Sequence, residues 1–241
     1  MAASLIGYLC KFAGKLRIMR LRTTVFPLLM VPMWCFGQKS TTAQDMERQG
    51  LVDILDVEPT IHVSLMYRRA DNFTGHVLYT DLREAYLHPK AARALQRAQE
   101  LLRERRPELS LKVYDAARPM YIQQKMWDTV KGTAQQNYVS NPRNGGGLHN
   151  YGMAVDITLC EATTGDTLDM GTVVDHLGFE AHIDREAELL RRGIISAEAL
   201  ANRQLLRAVM KEAGFMPLST EWWHYNLITR AEARAHYKVI R

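Results

Sequence analysis

The chain has 241 residues with 31 basic and 26 acidic side chains, which gives a formal net charge of +5. The excess of positive charge lies in residues 1–37, which contain five Lys and Arg and no acidic residue. The remaining 204 residues therefore carry 26 charges of each sign. This balance gives no indication of nucleic-acid binding, for which an excess of basic residues would be expected. Of three cysteines only Cys160 lies beyond residue 37, which excludes an internal disulfide and a thiolate zinc site there.

Residues 1–37 have the pattern of a secretory signal. The basic positions come first, and the apolar run of residues 25–36 follows them. This run is short for a membrane span and is interrupted by prolines. Small residues ahead of Gln38 predict cleavage just before it. The mature protein is then expected in the periplasm or the extracellular space, without membrane attachment. Met19 is an alternative start to Met1, because the segment that follows it is a normal signal by itself.

Beyond the signal, residues 38–50 are polar without periodicity and are predicted to be a flexible tether ahead of one domain, residues 51–241. In chain order the patterns predict strands or helices as follows: a strand at 61–67, a helix at 89–105, a strand at 109–114, a helix at 119–130, strands at 153–159 and 167–169, helices at 184–192 and 196–214, and a strand at 223–228. Helices and strands are interspersed without regular βαβ alternation. The prediction is an α+β fold with an antiparallel sheet and flanking helices.

A long loop is predicted between the second helix and the next strand, over residues 131–148. Three consecutive glycines, residues 145–147, lie near its end, and Leu148 separates them from His149. Loops of this length inside a compact domain are usually functional or disordered. Because of its position just before His149, we interpret the glycine run as a mobile lip of an active site.

Two histidines and two acids are spaced in a way that predicts a catalytic metal site. His149 and Asp156 are seven residues apart, so they reach one ion only if His149 precedes the strand and Gly152 allows a bend. Glu221 and His224, three apart, converge from a helical turn or a bent approach to a strand. Two imidazoles and one carboxylate would leave a zinc ion a fourth position for water. Glu221 would accept the proton of that water.

Arg118 is the predicted partner of the negative charge that develops during such a reaction. It lies between a predicted strand and a predicted helix, in the segment of residues 114–119. A guanidinium stays protonated beside a metal and donates two parallel hydrogen bonds. It would therefore stabilise the oxyanion of a tetrahedral intermediate.

Three motifs carry a resemblance to a known family: Tyr114-Asp115-x-x-Arg118-Pro119, His149-x-x-Gly152-x-Ala154-x-Asp156 and Glu221-x-Trp223-His224. They are similar to those of the zinc D-alanyl-D-alanine dipeptidases of the vancomycin-resistance type. That group of D-Ala-D-Ala peptidases shares a fold with the Hedgehog signalling domain. Segments 70–75 and 168–172 extend the resemblance over most of residues 51–230.

The resemblance implies a site with one zinc ion per chain. By this likeness the zinc ligands are His149, Asp156 and His224, the catalytic base is Glu221 and the stabiliser of the transition state is Arg118. The implied cofactor is zinc, and the implied partner is a small peptide substrate.

Four residues are expected to bind that substrate. Asp175 falls where the dipeptidases place an acid that meets the free ammonium of the substrate, with Tyr67 or Asp71 assisting. Gly147 replaces a family serine that is expected to help bind the substrate's carboxylate. The backbone N–H of Gly147, or another amide of the glycine run, is expected to contribute instead.

The function implied by the resemblance is hydrolysis of D-Ala-D-Ala, or of a closely related D-configured dipeptide, in cell-wall metabolism. A D,D-carboxypeptidase or endopeptidase acting on longer wall peptides is an alternative, since the same chemistry serves both. A zinc-stabilised binding domain without turnover is an alternative of another class. Glu221 and Arg118 argue against that last alternative, because a purely structural metal needs neither.

Overall fold

A computed structural model describes residues 39–241, and the predicted signal of residues 1–37 lies outside them. The helices in this part of the chain are α1 Thr41–Arg48, α2 Ile54–Val57, α3 Pro89–Arg105, α4 Met120–Val130, α5 Glu186–Arg191, α6 Ala197–Glu212 and α7 Arg230–His236. The strands are β1 Val52–Asp53, β2 His62–Val63, β3 Tyr86–Leu87, β4 Leu109–Asp115, β5 Ala154–Glu161, β6 Met216–Leu218 and β7 Glu221–Asn226. None of the helices within residues 39–241 combines the length and the hydrophobicity of a transmembrane segment.

The main sheet has five strands in the order β2-β4-β5-β7-β6. Three of its pairings are antiparallel, and β2 runs parallel to β4. The parallel pair follows from the long connection through β3 and α3, which returns the chain to the sheet in the same direction. The predicted α+β class is confirmed, and β2 is the exception to the expected antiparallel sheet.

Local signals account for the two long helices. The side chain of His88 accepts a hydrogen bond from the backbone N–H of Lys90, and Pro89 occupies the first turn of α3. Ser196 caps α6 by accepting from the backbone N–H of Ala199. The two helices contact each other, while α3 also contacts β4 and α6 contacts β5 and β7.

The register of three neighbouring strands brings polar residues together at one end of the sheet. Asp115 of β4 lies opposite Asp156 of β5, after an irregularity that begins at Val113. On the other side of β5, Asp156 lies opposite His224 of β7. Directly opposed residues share a face of a sheet. The fold therefore places two carboxylates and an imidazole side by side.

The predicted tether is wrong, because residues 41–48 form α1. Ser40 caps this helix, and Ala43 and Met46 are buried in the core. The backbone N–H and hydroxyl of Thr42 both donate to the carboxylate of Asp81. Ala43 and Met46 are three residues apart and lie on one face of this short helix. Among the polar residues around them, these two positions give no recognisable helical pattern in the sequence. The domain thus includes the described residues ahead of position 51.

The predicted strand over residues 61–67 is also too long. Only His62–Val63 pairs in the sheet, and Met66–Arg68 forms a 3-10 turn. The carbonyl of Tyr67 accepts from the backbone N–H groups of both Leu78 and Tyr79. This turn delivers the ring of Tyr67 toward the end of the sheet where Asp156 and His224 lie.

Candidate active site

His149, Asp156 and His224 meet at one end of the sheet. The cross-strand register aligns Asp156 with His224, and His149 lies on a 3-10 turn, Leu148–Tyr151, just before β5. Gly152 follows the turn with φ of 66°, a left-handed conformation that glycine adopts readily. This is the bend that the spacing of His149 and Asp156 predicts. A Cβ at Gly152 would also come within 2.9 Å of the backbone nitrogen of His88, which makes glycine necessary there.

The three potential ligand atoms are close enough to share one ion. His149 Nε2 lies 3.3 Å from Asp156 Oδ2 and 3.2 Å from His224 Nδ1. His224 Nδ1 lies 2.9 Å from Asp156 Oδ1. A tetrahedral centre with ligand distances of about 2.0–2.2 Å has ligand-to-ligand edges of roughly 3.3–3.6 Å. The observed distances are slightly shorter than such edges, and the two that end on Asp156 go to its two different oxygens, so a small outward movement of this ligand triangle of His149, Asp156 and His224 would admit the ion.

In each imidazole, one nitrogen points away from the metal ligands, and its hydrogen bond determines which ring nitrogen carries the proton. His149 Nδ1 is 2.7 Å from the carbonyl oxygen of Ala116, and His224 Nε2 is 2.9 Å from Asn226 Oδ1. Each contact is satisfied when the outer nitrogen donates its proton, which leaves a lone pair on the inner nitrogen. Two lone pairs and a carboxylate then converge, an arrangement that needs a cation. The donor set fits a divalent metal ion.

Asp156 is suited to stay ionised in this position. Burial acts to raise the pKa of Asp156, but in the metal-free protein positive charge and hydrogen-bond donation from His149 and His224 outweigh it and hold that pKa well below its usual range; with both inner nitrogens unprotonated, a bound cation would take this role. Among residues 39–241, these three form the one cluster of His, Cys, Asp and Glu side chains whose geometry could hold a metal ion.

Glu221 lies beside the triangle at the start of β7. Its Oε2 is 3.9 Å from His224 Nδ1. Residues three apart face opposite sides of a regular strand, but β7 is irregular here, since Leu218 pairs with Glu221 where a regular register would pair it with His224. Burial, together with the charges of Asp156 and Asp175, raises the pKa of Glu221 to about 8. A bound cation would oppose this by favouring the carboxylate.

Arg118 is buried against the same group and is held rigidly. Its Nε and Nη2 donate to Asp115 Oδ2 at 2.9 and 2.6 Å, and its Nη1 donates to Gln123 Oε1 at 2.9 Å. Nη2 is also 3.7 Å from Asp156 Oδ2. Burial opposes its charge, but Asp115 raises the pKa of Arg118 well above its usual range. The guanidinium is a permanent positive charge beside the potential metal ligands.

Sequence analysis missed the residues that orient Arg118. Asp115 stands in the same motif, three positions earlier, and an acid so near an arginine in sequence is a candidate for an ion pair. Gln123 has no such signal, since an amide on a helix is ordinary. Asn150 also contributes, because its Nδ2 donates to the carbonyl oxygen of Arg118 at 2.8 Å.

Tyr67 and Asp175, both predicted to bind substrate, lie together. The hydroxyl of Tyr67 donates to Asp175 Oδ2 at 2.6 Å, and the Tyr67 ring lies 5.3 Å from the guanidinium carbon of Arg118. Asp175 has φ of 66°, which is unusual for a residue other than glycine and is found at functional sites. Burial and the charge of Asp156 raise the pKa of Asp175 to about 7. An incoming ammonium would favour the ionised carboxylate.

A buried arginine holds the loop that carries Asp175. Arg203 of α6 donates from Nε to the carbonyl oxygen of Met170 at 2.7 Å and from Nη2 to that of Glu180 at 3.0 Å. Its guanidinium carbon also lies 5.5 Å from the ring of Trp222. Both ends of the loop are thereby attached to one side chain. Asp175 is therefore held in place by a residue that contributes nothing to the cleft itself.

The structure does not place the other two predicted substrate-binding residues as expected. Asp71 is exposed, pairs with Arg69 at 3.0 Å and does not line the cleft with the metal ligands. Gly147 lines that cleft, but its backbone N–H donates to Asn150 Oδ1 at 2.9 Å. In the ligand-free protein this amide proton is held by Asn150, and a role of Gly147 in binding the substrate's carboxylate stays a prediction. Asp71 faces a different part of the surface because Arg69 holds its carboxylate there.

We expect Asp175→Asn to stabilise the metal-free protein in a pH-dependent way. The folded-state pKa of Asp175 is about 7, above its ordinary value of 3.8. A raised carboxyl pKa means that folding stability is lost as pH rises between these values, and asparagine avoids the loss. The gain should be small near pH 4 and on the order of 1–3 kcal/mol above pH 7. Urea unfolding at pH 4, 6 and 8 measures it, and an equal gain at every pH would assign the effect to backbone strain.

A cleft of about 410 Å³ opens above the potential metal ligands, Glu221 and Arg118. This volume suits a small ligand. Its walls combine apolar side chains, among them Phe73 and Ile228, with the polar residues Ser140 and Arg230. The arrangement can bind a metal ion, present a buried acid and a fixed cation on either side of it, and admit a small polar substrate.

Comparison with known proteins gives one family and several relatives. The family model described as D-ala-D-ala dipeptidase, of peptidase group M15, matches residues 47–241. A D-alanyl-D-alanine dipeptidase of Escherichia coli K12 is 33% identical over 177 residues, which are 73% of this chain and 84% of that protein. One of Streptomyces coelicolor is 33% identical over 180 residues, or 67% and 83% of the two chains. One of Enterococcus faecalis V583 is 38% identical over 80 residues, or 33% and 36%.

Proposed function

Since this chain belongs to the D-Ala-D-Ala dipeptidase family of metallopeptidases, we propose that it hydrolyses D-Ala-D-Ala, or a closely related D-configured dipeptide, with one zinc ion. The observation that carries the proposal is the convergence of His149, Asp156 and His224, whose ligand atoms all lie within 4.8 Å of one another. A set of two imidazoles and one carboxylate is typical of catalytic zinc. Bound there, zinc would polarise the scissile carbonyl and lower the pKa of a water molecule to about 7.

Glu221 is the general base of this proposal. Its carboxylate is buried beside His224, on the same side of the sheet as the ligand triangle. From there it would accept a proton from the water that attacks the carbonyl carbon. It would then return this proton to the nitrogen of the departing amino acid, so that the amine leaves neutral.

Arg118 is the stabiliser of the tetrahedral intermediate. Asp115 and Gln123 hold its guanidinium before substrate arrives. A donor that is already oriented needs no reorganisation as negative charge develops on the carbonyl oxygen. Its permanent charge makes it effective throughout the working pH range.

Asp175 and Tyr67 form the ammonium side of the site. The hydroxyl of Tyr67 donates to Asp175 Oδ2, so Oδ1 of the carboxylate remains for a cationic ligand. A free N-terminal ammonium close to Arg118 needs such a counter-charge. Recognition of this ammonium is what favours a dipeptide over a longer wall peptide, whose corresponding nitrogen is an uncharged amide.

A substrate comparison tests the proposal directly. Zinc-loaded protein should hydrolyse D-Ala-D-Ala and should fail on L-Ala-L-Ala and on an N-acetylated tripeptide ending in D-Ala-D-Ala. A chelator should abolish the activity, and added zinc should restore it. Preference for the acetylated tripeptide would instead assign the protein as a D,D-carboxypeptidase. No turnover of any peptide by zinc-loaded protein would favour the non-catalytic binding domain.

Export is part of the proposal, and it rests on the sequence of residues 1–37. Five basic residues precede an apolar run in that segment, with no acidic residue. An exported enzyme would act on cell-wall peptides outside the cytoplasm. Mass spectrometry of the protein from a periplasmic or culture fraction should give an N-terminus at Gln38. An intact N-terminus in the cytoplasmic fraction would contradict export.

A further inference from the structure

Two arginines line the cleft, and they differ in how their charge is balanced. Arg118 pairs with the carboxylate of Asp115, which balances its charge, and it also donates to Gln123. Arg230, at the start of α7, is exposed and also lines the cleft. Within residues 39–241 it has no carboxylate partner, and its one hydrogen bond runs from Nη2 to the hydroxyl oxygen of Ser140, at 2.7 Å. The cleft therefore contains a cation without a counter-charge.

Ser140 occupies the space beside Gly147. A Cβ placed on Gly147 would lie 2.9 Å from Ser140 Oγ and 3.3 Å from Ser140 Cβ. The hydroxyl of Ser140 thus stands where a side chain at position 147 would begin. Gly147 is two residues before His149, and Ser140, Gly147 and His149 all line the cleft.

The hydroxyl of Ser140 is available to donate. It accepts from Arg230, and its own proton has no acceptor among the residues that the structure describes. The backbone of Ser140 is held in place, because Gln123 Nε2 donates to its carbonyl oxygen at 2.8 Å. Gln123 also accepts from Arg118. One side chain therefore sets the position of Ser140 relative to Arg118.

We propose that Ser140 and Arg230 together bind the free C-terminal carboxylate of the substrate. A hydroxyl donor beside a guanidinium is a suitable pair for a carboxylate, since charge-assisted hydrogen bonds are the stronger ones. The pair takes the place of a side chain at position 147, where this chain has only a glycine. The inference rests on the proposed function, because it assigns the end of the dipeptide opposite to the ammonium that Asp175 meets.

Binding measurements without turnover test this assignment. The parent protein is zinc-loaded Glu221→Gln, and the probes are D-Ala-D-Ala and its C-terminal amide, which lacks the carboxylate charge. Isothermal titration gives a dissociation constant for each probe, and the ratio of the two constants measures carboxylate recognition. The variants Ser140→Ala and Arg230→Gln are made in this parent. Arg234→Gln is the matched control, since Arg234 lies on the same helix and contacts the carbonyl of Asn144 in the same loop without lining the cleft.

A transposed variant separates the hydroxyl from the loop that carries it. In Ser140→Gly combined with Gly147→Ser, position 147 supplies the serine side chain, and its hydroxyl enters the space that the Ser140 side chain occupies in the wild type. The backbone of Gly147 has φ of −106° and accommodates serine. Removal of the Ser140 side chain also relieves the close contact that a Cβ at position 147 would make.

The parent should bind the acid at least about 10-fold more tightly than the amide, and this ratio should fall below about 3 in Ser140→Ala and Arg230→Gln. Arg234→Gln and the transposed variant should keep the parental preference. An undiminished preference in Arg230→Gln would overturn the inference and leave the proposed function intact. Equal binding of acid and amide by the parent would also overturn it. A parent that binds neither peptide would overturn the proposed function and, with it, this subsite.

Discussion

Replacing Glu221 by glutamine should lower kcat for D-Ala-D-Ala by roughly 10²–10⁴-fold while one zinc ion per chain remains bound. Glutamine has the shape of glutamate but cannot accept the proton of the attacking water at neutral pH. The metal is retained because the three ligand side chains are untouched, and Glu221 Oε2 lies 3.9 Å from His224 Nδ1. Steady-state hydrolysis and metal analysis on the same preparation measure both quantities.

Glu104→Gln is the matched control for this prediction. Glu104 is an exposed residue of α3 that pairs with Arg97 on the surface. Its substitution makes the same chemical change far from the cleft and should leave kcat unchanged. Wild-type activity in Glu221→Gln would remove Glu221 from the mechanism. Loss of zinc in that variant would instead show that Glu221 acts by holding the metal site together.

Replacing Arg118 by alanine should reduce kcat by roughly 10²–10³-fold and raise KM by much less, because its charge is needed most when the oxyanion forms. The substitution should also lower the free energy of unfolding by about 3–5 kcal/mol, since it leaves the buried Asp115 without its partner. Kinetics with D-Ala-D-Ala and urea unfolding measure the two effects separately.

Arg118→Lys separates catalysis from folding at this position. Lysine keeps a positive charge near Asp115 but loses the fork that donates from Nε and Nη2 to one carboxylate oxygen. We expect most of the stability to return while kcat stays at least about 10-fold below that of the wild type. A large rise in KM with unchanged kcat would contradict the assignment and make Arg118 a ground-state binding residue.

Elements with strong local signals could be predicted from the sequence. The prediction of α3 is correct to the residue, because Pro89 starts it and an apolar face repeats along it. Segments with weaker signals were misassigned. Ala43 and Met46 do not reveal α1 among polar residues, because its stability comes from burial against the rest of the domain.

The candidate site also has some features that could be predicted from the sequence and others that could not. The bend at Gly152 follows from the odd separation of His149 and Asp156, and the structure has it. The surroundings of Asp71 and of the Gly147 amide could not be foreseen. Arg69 and Asn150 decide them, and nothing in the local sequence indicates where those side chains point.

The sequence by itself determined the chemistry of this protein: two imidazoles, two acids and a guanidinium in motifs whose spacing allows them to share a site. Only the tertiary structure decided how they meet. Strand register aligns Asp156 with His224, and packing places Ser140 beside Gly147. Each of these contacts joins residues that are not neighbours in the sequence. Periodicity and caps are local properties, whereas strand register and the space next to a glycine depend on the packing of the whole domain.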